Sequence, residues 1–200
     1  EVVVTGMGCV SALGNTPEKL WENLLAGKSG VSTIEHFDTS AYEVHFAAEV
    51  KEFDASPYFS DRDQKRYSRN IQYAVSAASD AVKNSGLNVD SLDKSRAGVI
   101  LASGINGMDV YYDTSATLAN KGPRRVSPFF IPMAITNMAA GEVSIRFGFM
   151  GPNFTTTSAC ASSNHALIAA ADQIRLGRAD VMLAGGSEES ALASKMMPAI

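Results

Sequence analysis

Short apolar runs alternate with longer segments of helical periodicity along this chain, and that alternation implies an α/β layered fold. Residues 2–5 are β-branched, closed by Gly6, and read as a buried strand. Residues 97–103 and 180–184 read the same way, a further strand is expected near residues 44–50, and a Thr-rich one at 154–159. Asn15-Thr16-Pro17-Glu18 opens a helix carrying Leu20, Trp21, Leu24 and Leu25 and ending at Gly27. Residues 60–85, closed by Gly86, form the clearest helix. At about 100° per residue, Ile71, Ala74, Val75, Ala78 and Val82 share one face. Arg62, Lys65, Arg66 and Arg69 fall on roughly the opposite one. Helices are also expected at 108–119, 132–147 and 162–176, the last followed by a strand running into Gly185-Gly186.

The 200 residues suffice for one large domain or half of a bigger enzyme, and 46% hydrophobic content supports a substantial core. A net charge of −4 argues against nucleic acid as the main partner, which would call for a basic excess. Two cysteines far apart, Cys9 and Cys160, fit a reducing compartment better than a disulfide scaffold. No apolar run reaches the roughly 18 to 20 residues of a membrane span, and the amino terminus lacks signal-peptide character. The chain opens directly into an expected strand and stops at Met197-Pro198-Ala199-Ile200, so both ends read as cut from a longer chain.

Chemistry concentrates in Phe154-Thr-Thr-Thr-Ser-Ala-Cys160-Ala-Ser-Ser-Asn-His-Ala-Leu167. A strand runs into small residues, a cysteine and then a helix. Small neighbours permit a sharp turn and close approach of a substrate. A thiol at a helix amino terminus feels unpaired N–H groups, which favour the thiolate and can stabilise an oxyanion. Most free cysteines are nonetheless small buried hydrophobes, and Cys9 reads as structural. Gly6-x-Gly8 lacks the third glycine of a dinucleotide fingerprint, Ser11 standing there, and no P-loop, G-x-S-x-G elbow or metal-ligand cluster occurs.

Thr157-Ser158-Ala159-Cys160-Ala161-Ser162-Ser163 resembles the nucleophile motif of the β-ketoacyl-acyl-carrier-protein synthases. Similar segments run in family order along the chain. They include Val3-Val4-Thr5-Gly6-Met7-Gly8, Leu24-Leu25-Ala26-Gly27-Lys28-Ser29-Gly30 and Gly122-Pro123-Arg124-Arg125-Val126-Ser127-Pro128-Phe129-Phe130-Ile131-Pro132. Ile135-Thr136-Asn137-Met138, Gly151-Pro152-Asn153 and Ala179-Asp180-Val181-Met182-Leu183-Ala184-Gly185-Gly186 complete the series. The bacterial synthase II and plastid synthases look closest. The resemblance implies a thiolase-type α-β-α-β-α fold, of which residues 1–200 would form mainly the first of two similar halves.

The resemblance also implies roles. Cys160 would take an acyl chain from acyl-carrier protein, with its own N–H as one oxyanion donor. Malonyl-carrier protein would then lose carbon dioxide and extend the chain by two carbons, without metal or redox cofactor. Ile105, in Ser103-Gly104-Ile105-Asn106-Gly107, would line the acyl pocket, and Phe130 and Ile131 would reach the partner subunit's pocket across a homodimer. Arg62, Lys65, Arg66, Arg124 and Arg125 would dock the acidic carrier protein, although a solvated helix face explains such a charge run equally well. The family's two histidines, lysine and Gly-rich loop have no match among His36, His45 and His165, so this half alone is expected to be inactive. His165 would lie roughly 140° round the helix from Cys160, a poor direct partner. The compartment expected is the cytoplasm, a plastid or mitochondrial matrix staying open. Other readings are a polyketide ketosynthase domain, a non-catalytic chain-length partner or, less favoured, a degradative thiolase or a purely structural α/β module.

Overall fold

The computed structural model describes residues 1–189; Met197-Pro198-Ala199-Ile200 lies outside the described residues. In chain order the main elements are α1 Pro17–Leu25, β1 Ser32–Thr33, β2 Phe46–Ala47, α2 Asp61–Gln64, α3 Arg69–Ser85 and β3 Ala97–Ala102. They continue with α4 Met108–Lys121, α5 Phe130–Ala134, α6 Met138–Phe147, β4 Asn153–Phe154, α7 Ser162–Arg175 and β5 Val181–Gly186. A parallel sheet in the order β4-β3-β5 lies at the centre, with Val99 opposite both Asn153 and Leu183.

All six residues of β3 are buried, as a parallel strand covered on both faces requires. The pleat sends Ala97, Val99 and Leu101 into a core with Ile71, Val75 and Ala78 of α3 and Ala140 and Val143 of α6. Ile100 and Ala102 point the other way, onto Ala166 and Ala170 of α7. Ser162, Ala166 and Ala170 recur every four residues along α7, so its sheet-facing stripe is made of small side chains and the helix lies close. The expected α/β layering and the expected core face of α3 are both present.

Several expected elements differ. Residues 2–5 make no strand: Val3 and Val4 are exposed, and the following Gly6 and Gly8 lie against the Ala81 and Ala77 carbonyls of α3. A β-branched run becomes a strand only where a neighbour accepts its ladder, and no described strand runs beside it. The strand near 44–50 shrinks to β2, paired antiparallel with β1. The helix expected at 60–85 is broken between α2 and α3. Ser68, in extended conformation, starts α3, and the Gln72 amide donates to the Gln64 and Tyr67 carbonyls that the break frees, both at 2.9 Å. Arg62, Lys65, Arg66 and Arg69 are therefore no single helical stripe.

The helix expected at 132–147 is likewise two, α5 and α6. Ile135 leaves helical geometry, and the Asn106 amide gathers the Ala134 and Ile135 carbonyls at 3.2 and 3.1 Å. Of the strand expected at 154–159 only Phe154 joins the ladder, because the chain beyond it bends towards a turn at Ala159. No helix among the described residues is long and apolar enough to cross a membrane.

Candidate active site

Cys160 stands on a tight turn between the β4 segment and α7. Ala159, just before it, has φ of 52°, a left-handed conformation that costs a non-glycine residue about 1–3 kcal/mol and persists only where neighbours impose it. Ser162 imposes it. Its buried hydroxyl donates to the Ala159 carbonyl at 2.6 Å and accepts the Ser158 N–H at 2.7 Å. Thr156 Oγ1 donates to the Ser162 carbonyl at 2.9 Å, and the Ala161 and Ser162 N–H groups close onto the Ser158 and Ala159 carbonyls. The thiol is held out by this clamp and is itself exposed. Sequence reasoning noted Ser162 only as a small residue; its signal was a hydroxyl at the start of a helix, where such groups bond nearby backbone.

The turn lies at the carboxyl ends of β3 and β5, where open α/β sheets bind their ligands. A cavity of about 410 Å3 opens there, lined by Ile105 after β3, Cys160 and Ser163 at the turn, and Ser187, Glu188 and Glu189 after β5. A Cβ at Gly186 would press on the Ser163 side chain, whose hydroxyl would have to turn away. Ile105 thus shares a cavity with Cys160. Phe130 and Ile131 do not line it; Phe130 packs edge-to-face on Tyr111 of α4 and Ile131 is exposed. A wider cavity of about 1060 Å3, lined by Leu13, Val31, Glu49, Phe53 and Tyr73 among others, shares Glu188 and Glu189 with the first but holds neither cysteine.

Behind the site, fully buried Asn70 ties two loops together, a role with no sequence signal. Its amide donates to the Ser187 carbonyl at 2.8 Å, and Ser187 Oγ donates back to the Asn70 carbonyl at 2.7 Å. His165 Nδ1 lies 2.6 Å from Ser158 Oγ, so the histidine serves the turn rather than the thiol, in line with its expected angular offset. The Cys9 thiol is pushed above its ordinary value by partial burial and then by the Glu18 and Asp80 carboxylates, which favours the protonated form and fits a structural role.

Glu189, buried beside the site, is pushed up to about 8, first by burial and then by the Asp109 carboxyl facing it; the Asn70 and Gly107 N–H groups oppose the shift. Tyr73 also feels the Glu189 charge, which raises it. The folded protein therefore holds a proton that the unfolded chain releases near the ordinary value of 4.5, so stability falls as pH rises from there to about 8. In the full-length protein, Glu189→Gln should flatten that fall, read as denaturant midpoints at about pH 5 and about pH 9. Equal slopes in both proteins would rule the assignment out.

The basic residues are exposed or half-buried and lie on two segments. Arg62 lies within the short α2 and Lys65 caps its carboxyl end, Arg124 and Arg125 follow α4, and none of the four forms a salt bridge among the described residues. Arg66 stacks over the Phe129 ring at 5.0 Å, so side chains of both segments meet. No group of three or more His, Cys, Asp or Glu among the described residues is placed to hold a metal.

The family model described as Beta-ketoacyl synthase, N-terminal domain matches residues 1–197. The 3-oxoacyl-[acyl-carrier-protein] synthase 2 of Vibrio cholerae serotype O1 is 45% identical over 190 residues, which cover 95% of this chain and 46% of that protein. The chloroplastic 3-oxoacyl-[acyl-carrier-protein] synthase I of Arabidopsis thaliana is 41% identical over 191 residues, 94% of this chain and 40% of that one. Among solved structures, the ishigamide ketosynthase/chain length factor superposes with a TM-score of 0.82 at 28% identity, over 92% of this chain and 46% of that one. The chain spans about half the length of the curated relatives it matches.

Proposed function

The chain belongs to the β-ketoacyl synthase family, whose amino-terminal domain it matches, and from that we propose that the protein condenses acyl thioesters through Cys160 in fatty-acid elongation. The observation that carries the reading is an exposed thiol on a strained, Ser162-clamped turn, opening into a cavity at the carboxyl ends of a parallel sheet. Its thiolate attacks the thioester carbonyl of acyl-carrier protein. A new carbon–sulfur bond forms, the old one breaks, and the carrier leaves as its thiol. Malonyl-carrier protein then loses carbon dioxide, and the electron pair left on carbon attacks the acyl-Cys160 carbonyl. The cysteine departs, leaving a 3-oxoacyl chain two carbons longer on the carrier. The Cys160 N–H is one oxyanion donor.

The two histidines, lysine and Gly-rich loop that the family resemblance assigns to the second step have no match in this chain, which spans about half the length of its relatives, so these 200 residues alone carry no complete condensation. Arg62, Lys65, Arg66, Arg124 and Arg125 form the docking surface for an acidic carrier protein, supported by the meeting of their two segments at Arg66 and Phe129. Ile105 lines the acyl pocket. Phe130 and Ile131 act across a homodimer, and the protein works in the cytoplasm or a plastid without metal or redox cofactor. Fatty-acid elongation is preferred to a polyketide pathway because the elongating synthases match at 45% and 41% identity, against 28% for the ketosynthase/chain length factor.

The test uses the full-length protein and a medium-chain acyl-carrier protein with no malonyl donor. A mass increase of one acyl group, mapped to the Cys160 peptide and converted to the 3-oxoacyl product when malonyl-carrier protein is added, is the expected result. A folded protein that takes no adduct from an intact donor would instead favour a non-catalytic chain-length partner.

A further inference from the structure

The loop at residues 103–107, between β3 and α4, carries Ile105, 53% exposed, into the lining of the Cys160 cavity. A loop set by its own packing would need apolar contacts, and this one is held by polar groups instead. On one side the Asn106 amide grips the α5 carbonyls of Met133 and Ala134 and that of Ile135. Gly107, at φ of 70° with a Cβ position 2.8 Å from Ala134 Cα, closes that side tightly. On the other side a single carboxylate oxygen, Oε2 of Glu188, accepts the consecutive N–H groups of Gly104 at 2.6 Å and Ile105 at 2.9 Å. Ser103 Oγ donates to the same carboxylate at 3.3 Å.

Consecutive backbone N–H groups converging on one point make a small anion-binding concavity, and here the anion is the protein's own side chain. Loop, carboxylate and nucleophile turn come together at Gly104. A Cβ there would stand 3.2 Å from Glu188 Oε2 and 3.6 Å from Ala159 Cα. We infer that Glu188 is a positioning residue: its carboxylate latches the 103–107 loop against the β5 end, and so sets where Ile105 stands over Cys160 and which acyl chains pass it. This rests on the reading of Cys160 as the acylated nucleophile.

The experiment measures kcat/KM for acylation of Cys160 by a series of acyl-carrier proteins from short to long chain, using the full-length protein. Glu188→Gln keeps the shape but removes the charge that favours two donors on one oxygen. Releasing Ile105 should raise the long-to-short ratio of kcat/KM by about threefold to tenfold. Ile105→Ala should shift the ratio the same way, and the double variant should move it less than the two single shifts multiplied. Glu188→Asp should restore part of the original ratio. If Glu188→Gln does not fold, Ser103→Ala, which removes the third contact together with the bond the same hydroxyl accepts from the Asn70 amide at 3.4 Å, should give a smaller shift in the same direction. A uniform loss across all chain lengths, or shifts that multiply fully in the double variant, would overturn the inference. Failure of the unsubstituted protein to take any acyl group would overturn the reading of Cys160 itself.

Discussion

Cys160→Ala is expected to abolish acyl transfer from carrier protein, a loss on the order of 10^4-fold or more, as for other residues that form the covalent bond. The expectation is sharp because the substitution should leave the fold alone. Cys160 is exposed, so truncation opens no buried hole, and the stability change should stay within about 0.5 kcal/mol. The turn is made by Ser162 and by the Ala161 and Ser162 N–H groups, none of which needs the thiol. Intact mass after incubation with acyl donor, alongside a denaturation curve, separates lost chemistry from lost structure. A persisting adduct in a folded Cys160→Ala protein would move the nucleophile elsewhere; among these 200 residues Cys9 is the other thiol, and its burial and acidic neighbours disfavour the thiolate.

The largest effect on stability is expected from Ile100→Ala. Ile100 is fully buried in the central strand and packs on Ala166 and Ala170 of α7. Because those partners are small and the strand is tied on both sides by its ladder, the space cannot collapse, and the cost should be about 2–5 kcal/mol. The measurement is the urea midpoint of the full-length protein at unchanged slope. A loss below about 1 kcal/mol would mean that the sheet and α7 move together to fill the gap. Since the Cys160 turn runs into the start of α7, the same variant should also slow the proposed acylation of Cys160.

Much of this was legible in the sequence because it is written locally. Gly86 in its left-handed cap, the buried stripe from Ile71 to Val82, and the Thr16 cap whose hydroxyl accepts the Lys19 N–H all follow from short-range periodicity and end chemistry. The strand–cysteine–helix order around Cys160 is equally local, since a turn between two elements is specified by its own small residues. Residues 2–5 misled for the converse reason: β-branched composition describes a willing strand but not whether a partner lies beside it.

The tertiary structure decided the rest. The breaks at Ser68 and Ile135 exist because the Gln72 and Asn106 amides supply partners to freed carbonyls, and the Asn106 case joins residues 28 and 29 positions apart. Asn70 meets Ser187 across 117 positions, and Glu188 meets Ile105 across 83. An asparagine on a helix or a glutamate after a strand carries no mark of such a role, because either would be equally at home in water. The sequence alone therefore determined the α/β layering and where the thiol stands within it. Only the packed sheet, by bringing the ends of β3 and β5 side by side, decided which polar groups lose water and must find each other around it.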